Sequence, residues 1–388
     1  MAQADDEAAV HRRFRLLPNE SVSWVGKPVP GAPREPGWLL VPAVFFAFAF
    51  ISTAFGVLLR MIGTEGGLLE SGFVALWFTT LGIVIRLLPS WWLGGVEYAL
   101  TDRRVLFRRG AYRRMLEVRQ ITYARIHWNA GAVGVGHLEL VCAVPRGALL
   151  RRLRVMLYDV RDPDRVLARI RGLHPDAMPD STLPLAERLD PDENVVWGGA
   201  PEGWLLGWRE IAIGLLGALV SIAGILYAIK IGHILWTLEL REGVMVTSPT
   251  WLLFATATGV SWALMEAVGA GLIYVGVFRS RELGRQTEYL LTDKRLLIRR
   301  GLKELSIDRR RIVDVADTPS GRDLRDLYLI LDGPGARALA DSGALAVLAP
   351  PRDALAPVLY EVRDAEVLKE LILGRRPPSG EQDIREAA

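Results

Sequence analysis

Two ionisable residues interrupt apolar stretches of this 388-residue chain and could support chemistry inside a membrane. Glu266 lies in a long apolar segment that ends shortly before Arg279. A carboxylate that faces lipid is costly, so such a residue is by default a candidate functional site for transport or proton chemistry. Arg86, in another apolar segment, is its plausible partner, although its long side chain could instead reach the interface alone. A structural helix contact and a shifted helix boundary are the alternatives for Glu266.

A second candidate site is a group of arginines that follows the second apolar segment. The group comprises Arg103, Arg104, Arg108, Arg109, Arg113 and Arg114. Residues 97–173 carry 16 arginines against 7 acidic residues, whereas residues 279–374 carry 17 basic and 16 acidic residues. Since a basic residue near an anionic membrane contributes about 1 kcal/mol to binding, the group could bind lipid headgroups. The alternative is that these arginines only set the membrane topology and are solvated. Side chains alternate along a strand, so the arginines would be divided between two faces of the sheet.

The remaining reactive residue types predict no metal or cofactor. The five histidines lack the helical spacing that zinc favours, and Cys142 as the single cysteine excludes multi-cysteine motifs. Gly131–Gly136 has the glycine spacing of a dinucleotide loop, but no strand–loop–helix unit surrounds it, so we expect a bend between strands. His127, His137 and Cys142 are interpreted as packing residues. Aromatic residues are not interleaved with the basic charge, so we expect no nucleic-acid partner.

Four apolar segments dominate the chain, whose mean hydropathy is +0.22. They cover Trp38–Leu59, Gly72 to about Val96, Ile211–Ile229 and Pro249–Phe278. The first has 22 residues without a charge, enough to span a hydrocarbon core of roughly 30 Å. Tryptophans concentrate at the segment ends, as they do at a headgroup interface. These features predict four transmembrane helices in two hairpins, with burial in a large soluble core as the alternative.

The distribution of Lys and Arg predicts how the hairpins are oriented. Basic residues precede the first segment and follow the second and fourth, whereas the loops inside the hairpins carry only Arg60, Lys230 and Arg241. Lys and Arg accumulate on the cytoplasmic side of membrane proteins. The acidic N-terminus lacks the pattern of a signal peptide. We therefore expect the hairpin tips outside and both termini in the cytoplasm.

The chain contains the same sequence pattern twice. The matching blocks are 18–28 with 191–201, 97–110 with 288–301, and 158–162 with 360–364. Three blocks in the same order indicate an internal duplication. Each unit then consists of an approach segment, a helix hairpin and a β region.

Inside the β regions the hydrophobic period is two. Residues 103–109 alternate and end at Gly110, which predicts a strand and a turn. Further strands are expected at 115–122, 137–142 and 153–158. Pro163 suits the first position of a helix that follows these strands, and an equivalent helix ends the second unit.

The repeated blocks also indicate a family. They read Glu-x-Val-x-Trp-x-Gly-x-Pro and Tyr-x-Leu-Thr-Asp-Arg/Lys-Arg-Val/Leu-Leu-x-Arg-Arg-Gly, on either side of a helix hairpin. Over residues 15–173 and 187–374 the chain resembles the bacterial pleckstrin-homology-like (PH-like) membrane proteins. The resemblance implies two orthogonal antiparallel sheets capped by a C-terminal helix in each unit, and a scaffold or binding role without enzymatic activity. Ser320–Ala344 departs from the first unit, which leaves the strands at 320–350 open.

The sequence thus predicts an α+β membrane protein with four transmembrane helices in two hairpins, each followed by a PH-like antiparallel β domain with a C-terminal helix. The expected segments are an approach segment (1–37), hairpin 1 (38–96), PH-like domain 1 (97–173), linker and second approach segment (174–203), hairpin 2 (204–278), PH-like domain 2 (279–374) and a polar tail (375–388). We expect a non-catalytic scaffold of the inner membrane that binds the lipid bilayer and a protein partner, a second copy of itself or anionic headgroups. The alternative is a transporter or intramembrane enzyme that uses Glu266.

Overall fold

The structure is a computed structural model that divides into two compact units. It describes residues 13–30, 36–61, 67–146, 149–174, 183–190, 192–203, 208–242, 249–320, 323–332 and 355–374. The helical unit contains Arg34–Pro89 and Leu206–Glu282, and the β unit contains Met1–Pro33, Ser90–Leu205 and Leu283–Ala388. Most of the expected linker, the open stretch at 333–350 and the polar tail lie outside the described residues. The α+β class with antiparallel sheets is confirmed.

Long apolar helices make up most of the helical unit. The helices of the chain are α1 (Pro36–Met61), α2 (Gly67–Leu93), α3 (Pro163–Ile170), α4 (Trp208–Glu242), α5 (Pro249–Ile273), α6 (Arg279–Arg285) and α7 (Ala365–Leu373). Within the described residues, three stretches are long and apolar enough to cross a membrane: Leu69–Leu93, Trp208–Ile234 and Thr258–Arg285. Val41–Ala54 in α1 is a shorter apolar stretch. Lys230, which we expected in a loop, lies inside α4 because that helix continues to Glu242.

Aromatic stacking joins α1 to α2. The rings of Phe48 and Phe78 stack with centroids 5.5 Å apart, and Ser52 Oγ donates to the carbonyl of Ser71 at 3.0 Å. Other large apolar side chains on these helices point outward; Phe50 is 76% exposed. Exposed apolar surface over several helical turns is typical of helices that face lipid.

Small residues let α4 and α5 pack backbone to backbone. A Cβ atom on Gly217 would lie 2.7 Å from the carbonyl oxygen of Gly269, and one on Gly269 would lie 2.2 Å from Ser221 Oγ. In the π-helical turn Tyr274–Phe278 that follows α5, a Cβ on Gly276 would lie 2.5 Å from the backbone nitrogen of Gly214. Close approach at small residues is how helices associate in membranes, where lipid removes the hydrophobic drive between them.

We expect Gly269→Ala to lower the thermal stability of the detergent-solubilised protein, because the added methyl group would overlap Ser221 Oγ. The matched control is Gly271→Ala on the same helix, where a Cβ meets nothing within 4 Å. The measurement is the melting temperature from fluorescence-detected size-exclusion chromatography after heating. Equal melting temperatures for the two variants would contradict the packing described here.

All strand pairs described in the β unit are antiparallel. The strands are β1 (Val22–Gly26), β2 (Val96–Thr101), β3 (Arg104–Arg109), β4 (Tyr112–Glu117), β5 (Tyr123–Trp128), β6 (Val135–Arg146), β7 (Leu149–Arg161), β8 (Val195–Gly199), β9 (Thr287–Thr292), β10 (Arg295–Arg300), β11 (Lys303–Asp308), β12 (Ile312–Pro319), β13 (Arg325–Leu331) and β14 (Val358–Val362). The expected strand before Gly110 and the helix at Pro163 are confirmed as β3 and α3. The expected strand at 115–122 ends earlier, since Val118–Gln120 form a 3₁₀ turn.

Two hydrophobic cores organise these strands. Side chains from β2–β7 and α3 share the first core, which includes Tyr98, Leu100, Leu138, Leu157 and Val166. The second core takes side chains from β9–β14 and α7, which include Tyr289, Leu291, Leu327, Leu359 and Leu368. The strand order β1-β2-β3-β4 in the first region corresponds to β8-β9-β10-β11 in the second. Each β region therefore consists of four strands, three further strands and a helix, and these elements surround its core.

The two β regions are joined into one sheet, which the sequence analysis does not predict. Strand β11 pairs antiparallel with β5, with Ser306 opposite Ala124, and the seven-stranded sheet runs β7-β6-β5-β11-β10-β9-β8. The backbone nitrogen of Trp128 extends this ladder by donating to the carbonyl of Leu302 at 2.8 Å. Pairing closes one edge of each β region. The corresponding edges, β4 and β12, have no second neighbouring strand among the described residues.

Candidate functional site

The repeated blocks supply contacts that occur once in each β region. Tyr98 Oη accepts from the backbone nitrogen of Tyr158 at 2.8 Å, and Tyr289 Oη accepts from that of Tyr360 at 3.0 Å. Both tyrosines are fully buried, and burial raises their pKa well above the ordinary range. Strand β2 is thereby tied to β7, and β9 to β14, which explains why the block around Tyr98 and the block around Tyr158 recur together.

The Trp-x-Gly part of the approach blocks has a steric explanation. The ring of Trp24 lies directly over Gly26, where a Cβ atom would be 2.3 Å from the indole. Trp197 covers Gly199 in the same way, at 2.6 Å. Both indoles pack against the core of their own region. Glycine is required at these positions because any side chain would displace the ring.

A buried carboxylate clamp holds the first approach segment against β2 and β3. Glu20 accepts from Arg104 Nε at 2.8 Å, from Arg104 Nη2 at 2.7 Å and from Thr101 Oγ1 at 2.7 Å. The backbone nitrogen of Leu17 donates to the same carboxylate at 2.7 Å. Hydrogen bonds from the Arg104 guanidinium are the main cause that lowers the pKa of Glu20 from 4.5 to about 2. The carboxylate is therefore charged and fully paired at neutral pH.

The second region repeats the clamp and extends it. Glu193 accepts from Arg295 Nε at 2.8 Å and from Thr292 Oγ1 at 2.6 Å. Burial opposes ionisation of Glu193, but the Arg295 hydrogen bonds outweigh it and the pKa is lowered. Arg295 also donates to Asp190 at 3.2 Å, and Asp190 pairs with Arg171 at 2.6 Å. This network links Arg171, the residue that follows α3 of the first region, to the second clamp.

Glu20 and Glu193 are absent from the sequence-predicted site residues. The recurrence of a glutamate at the same place in both approach blocks is a signal that could have identified them. Their partners Arg104 and Arg295 occupy equivalent places in the other repeated block. Sequence comparison shows the equivalence, but only the structure shows that the two blocks meet.

The six arginines of the predicted lipid-binding group do not form one surface. Arg104 is committed to Glu20, and its side chain is only 12% exposed. Arg108 pairs with Glu97 at 3.7 Å, while Arg103 is exposed beside Asp102. On β4, Arg113 is exposed and Arg114 lies over the ring of Tyr112. The structure therefore divides the group among a clamp, a strand face and a sheet edge.

Arg109 has a different environment from the rest of the group. Its guanidinium lies 3.8 Å from the ring centre of Trp92 and 5.3 Å from that of Trp91. Stacking on indoles stabilises a cation by roughly 0.5–2 kcal/mol, depending on how far it is desolvated. The two tryptophans end the apolar helix α2, at the position expected for residues of a headgroup interface. This arrangement places a cation next to side chains that favour that interface.

The open edge of β4 presents apolar as well as basic side chains. Tyr112 and Met115 are 48% and 62% exposed. Strand β4 pairs with β3 along one side, from Arg104 opposite Glu117 to Arg109 opposite Tyr112. Natural sheets usually protect such edges, because the free backbone groups can pair with another chain.

Glu266 packs against the neighbouring helix of its hairpin. A Cβ atom on Gly224 of α4 would lie 2.6 Å from Glu266 Oε1, so the carboxylate occupies the space that glycine leaves. Oε1 is buried and has no hydrogen-bond partner in the part of the chain that the structure describes. Glu266 thus contacts the neighbouring helix at Gly224, and its expected partnership with Arg86 stays a prediction.

His127, His137 and Cys142 lie among the strands of the first β region. Cys142 is buried in the first core, and His137 Nδ1 accepts from the backbone nitrogen of Asp159 at 2.9 Å. Burial lowers the pKa of His127 to about 4, so its ring is neutral at pH 7. No group of three or more potential metal ligands occurs among the described residues. Gly131 and Gly134 lie in the turn between β5 and β6, which confirms the expected bend, and Gly136 is already in β6.

A small cavity lies where β5 meets β11. Its volume is about 40 Å³, enough for water but far below the roughly 300 Å³ of a small-molecule site. Arg188 at its wall donates to both carboxylate oxygens of Glu304, at 2.7 and 3.1 Å, and lies over Trp128. Burial raises the pKa of Asp164, which also lines it. These groups stabilise the junction between the two β regions.

We expect Glu20→Gln to lower the free energy of unfolding by about 3 kcal/mol at pH 7, because Arg104 would stay buried without a counter-charge. The extra stability of the wild-type protein over Glu20→Gln is present above the ordinary glutamate pKa of 4.5. It is lost as the pH falls towards 2, the lowered pKa of Glu20. Melting temperatures of both proteins from pH 7 to pH 3 measure this difference. The control is Glu97→Gln, whose partly exposed ion pairs contribute less than about 1 kcal/mol. If the difference in melting temperature between wild type and Glu20→Gln does not become smaller at pH 3, the assignment of a charged Glu20–Arg104 pair is contradicted.

Comparison with known proteins gives no match: no protein-family model, no curated protein and no solved structure resembles the chain closely enough to be matched.

Proposed function

We propose that the chain is a non-catalytic interaction platform anchored in a bacterial inner membrane. Four transmembrane helices in two hairpins would hold two PH-like domains on the cytoplasmic side. Three apolar stretches of sufficient length and a shorter fourth stretch in α1 support the anchor. The excess of basic residues outside the hairpin loops supports the orientation.

The PH-like assignment is supported by the construction of the two β regions. Each region packs four antiparallel strands and three further strands around one core and places a helix after the last strand. The residues of the repeated motifs form matching contacts in both regions, from the glutamate clamps to the buried tyrosines. These matches also support an origin by duplication of one hairpin-plus-domain unit.

The open edge of β4 is the observation that carries the interaction role. Its counterpart β11 is paired on both sides, whereas β4 has no strand paired along its second side in the described structure and exposes Tyr112 and Met115. An open strand can accept a strand from a partner, with the backbone supplying affinity and the side chains specificity. Arg113 and Arg114 on the same strand would favour an acidic partner segment.

Anionic lipid is a second ligand class, supported by Arg109. Its stacking on Trp91 and Trp92 places a positive charge beside residues suited to the headgroup layer. Arg103 is exposed on the same region. Lipid binding through these residues would orient the first β region at the membrane without using the β4 edge.

We expect Met115→Glu to remove specifically associated molecules when the tagged full-length protein is purified from native membranes in mild detergent. The reason is that a carboxylate at the open edge would oppose an acidic partner segment. Mass spectrometry of proteins and lipids is the measurement. Val133→Glu is the control, since Val133 is 87% exposed on a loop away from this edge. Identical sets of associated proteins for Met115→Glu and wild type would contradict a role for β4.

The alternative function, transport or intramembrane chemistry, is favoured by the buried Glu266 Oε1 that lacks a hydrogen-bond partner among the described residues. If Glu266 only fills the space beside Gly224, we expect Glu266→Gln to retain normal membrane levels and to complement a deletion strain. Immunoblotting of membranes and growth of the complemented strain are the measurements. Loss of complementation at normal membrane levels would instead support chemistry at Glu266, and Glu266→Ala tests whether volume alone matters.

A further inference from the structure

Four neighbouring strands carry one row of charged side chains at the same end of the first sheet. One member directly follows β1, and the other three stand opposite one another on β2, β3 and β4. These residues, which we call the basic row, are Lys27, Glu97, Arg108 and Arg113. Side chains alternate along a strand, and the next residues inward, Tyr98 and Phe107, belong to the first core. The basic row therefore lies on the face of the sheet that points away from this core.

A single carboxylate serves all the cations of the basic row. Glu97 lies 3.1 Å from Lys27 Nζ and 3.7 Å from Arg108 Nη1. Arg13 of the approach segment reaches the same carboxylate at 3.7 Å. Arg113 is directly opposite Arg108 in the ladder and has no acidic partner among the described residues. Like charges opposite each other destabilise a sheet, so the row has a repulsion that an added anion would relieve.

The surplus positive charge is accessible to a ligand. The side chains of Lys27 and Arg13 are 64% and 54% exposed, and Arg113 is exposed as well. On the next row of the same face, Phe14 of the approach segment packs against Leu106. This segment covers the middle of the face and leaves the basic row at its rim. Four strands are about 14 Å wide, so the row presents an extended line of charge and not a single point.

The tryptophans at the end of α2 lie at the same end of the sheet. Arg109 follows Arg108 in β3, and its guanidinium lies 3.8 Å from the ring centre of Trp92. The basic row is thus one residue away from indoles that favour a headgroup interface. Positive charge by itself would suit any polyanion. Positive charge beside interfacial indoles favours an anionic headgroup layer, where both kinds of side chain are stabilised.

We propose that the basic row, together with Arg13, binds the phosphate groups of anionic phospholipids at the membrane surface. The inference deepens the proposed function, on which it rests, because it assigns the lipid ligand to a defined set of side chains. Lys and Arg form charge-assisted hydrogen bonds with phosphate oxygens. The site uses the face of β4 and not the backbone groups along its edge.

The second β region has no equivalent site. The repeated blocks and the strand pairing place Ala200, Glu288, Arg299 and Glu304 at the corresponding positions. That row has one basic and two acidic residues, whereas the basic row has three basic residues and one acidic residue. Glu304 is also paired inside the chain, since Arg188 donates to it at 2.7 Å. The two rows share their places in the fold and differ in charge, so we assign lipid binding to the first region alone.

The test is the melting temperature of the detergent-solubilised full-length protein during titration with phosphatidylglycerol, because a ligand of the folded state stabilises it. We expect a rise with phosphatidylglycerol and none with phosphatidylcholine, whose headgroup has no net charge. Lys27→Gln combined with Arg113→Gln should need roughly 30-fold more phosphatidylglycerol for the same rise, at about fivefold for each basic residue removed. High salt should weaken the response of the wild-type protein by screening.

A second variant tests the same site with one substitution. Arg113→Glu introduces on β4 the residue type that Glu304 supplies in the second region, and it changes the charge by as much as the double variant does. We therefore expect a similar loss of the phosphatidylglycerol response. The measured quantity is the rise caused by lipid, so a change in the melting temperature without lipid does not affect the comparison.

The matched control combines Arg119→Gln with Arg165→Gln, which removes two exposed positive charges of the same region outside the basic row. We expect this control to respond to phosphatidylglycerol as the wild type does. Inorganic phosphate at the same concentration separates a lipid site from a site for free phosphate, and it should cause no rise. The proposal is overturned if the wild type does not respond, if the row variants respond as the wild type does, or if inorganic phosphate reproduces the rise.

The outcome is separable from that of the proposed interaction role of β4. If phosphatidylglycerol has no effect while Met115→Glu still removes an associated protein, the platform function holds and the basic row is not a lipid site. If the lipid titration gives the expected result while Met115→Glu changes nothing, the basic row holds and the role of the β4 edge fails. If neither experiment shows binding, both proposals fail.

Discussion

The hydrogen-bonded pairing of β5 with β11 is the constraint on which the arrangement of the β unit depends. Backbone groups at a strand edge must be paired, covered or left to solvent, and this pairing satisfies one edge of each β region at once. It converts two similar regions into one seven-stranded sheet with two different ends. The equivalence of the regions is thereby broken, since β11 is covered on both sides and β4 is not. An internal contact between repeats thus creates an asymmetry, in which β11 has two neighbouring strands and β4 has one among the described residues.

The repeated motifs serve mainly to hold the approach segments and the strands together. A block rich in arginine suggests a surface for anions, yet Arg104 and Arg295 are turned inward to buried glutamates. Removing one member of such a pair is expensive, because the other charge stays buried. The side chains left for other contacts, Arg103, Arg109 and Arg113, lie outside the clamp. Arg109 stacks on the tryptophans at the end of α2, and Arg113 stands on the open edge.

Packing in the helical unit depends on small residues, and Glu266 fits the same pattern. Glycines along α4 allow backbone contact with α5, and Gly224 leaves the space that the Glu266 carboxylate fills. An unbonded carboxylate oxygen between two helices is costly, whether it serves packing or chemistry. Its surroundings in the described structure contain no group of metal ligands.

Element types and the equivalence of the two halves could be predicted from the sequence, because they depend on local patterns. Uncharged runs such as Trp38–Leu59 indicated apolar helices, alternation before Gly110 indicated a strand, and Pro163 marked a helix start. Only the tertiary structure showed that Arg104 meets Glu20, 84 positions earlier in the chain, and that β5 pairs with β11. Both contacts join segments distant in the chain, and period-two alternation shows which face of a strand is buried but not which strand lies at its edge.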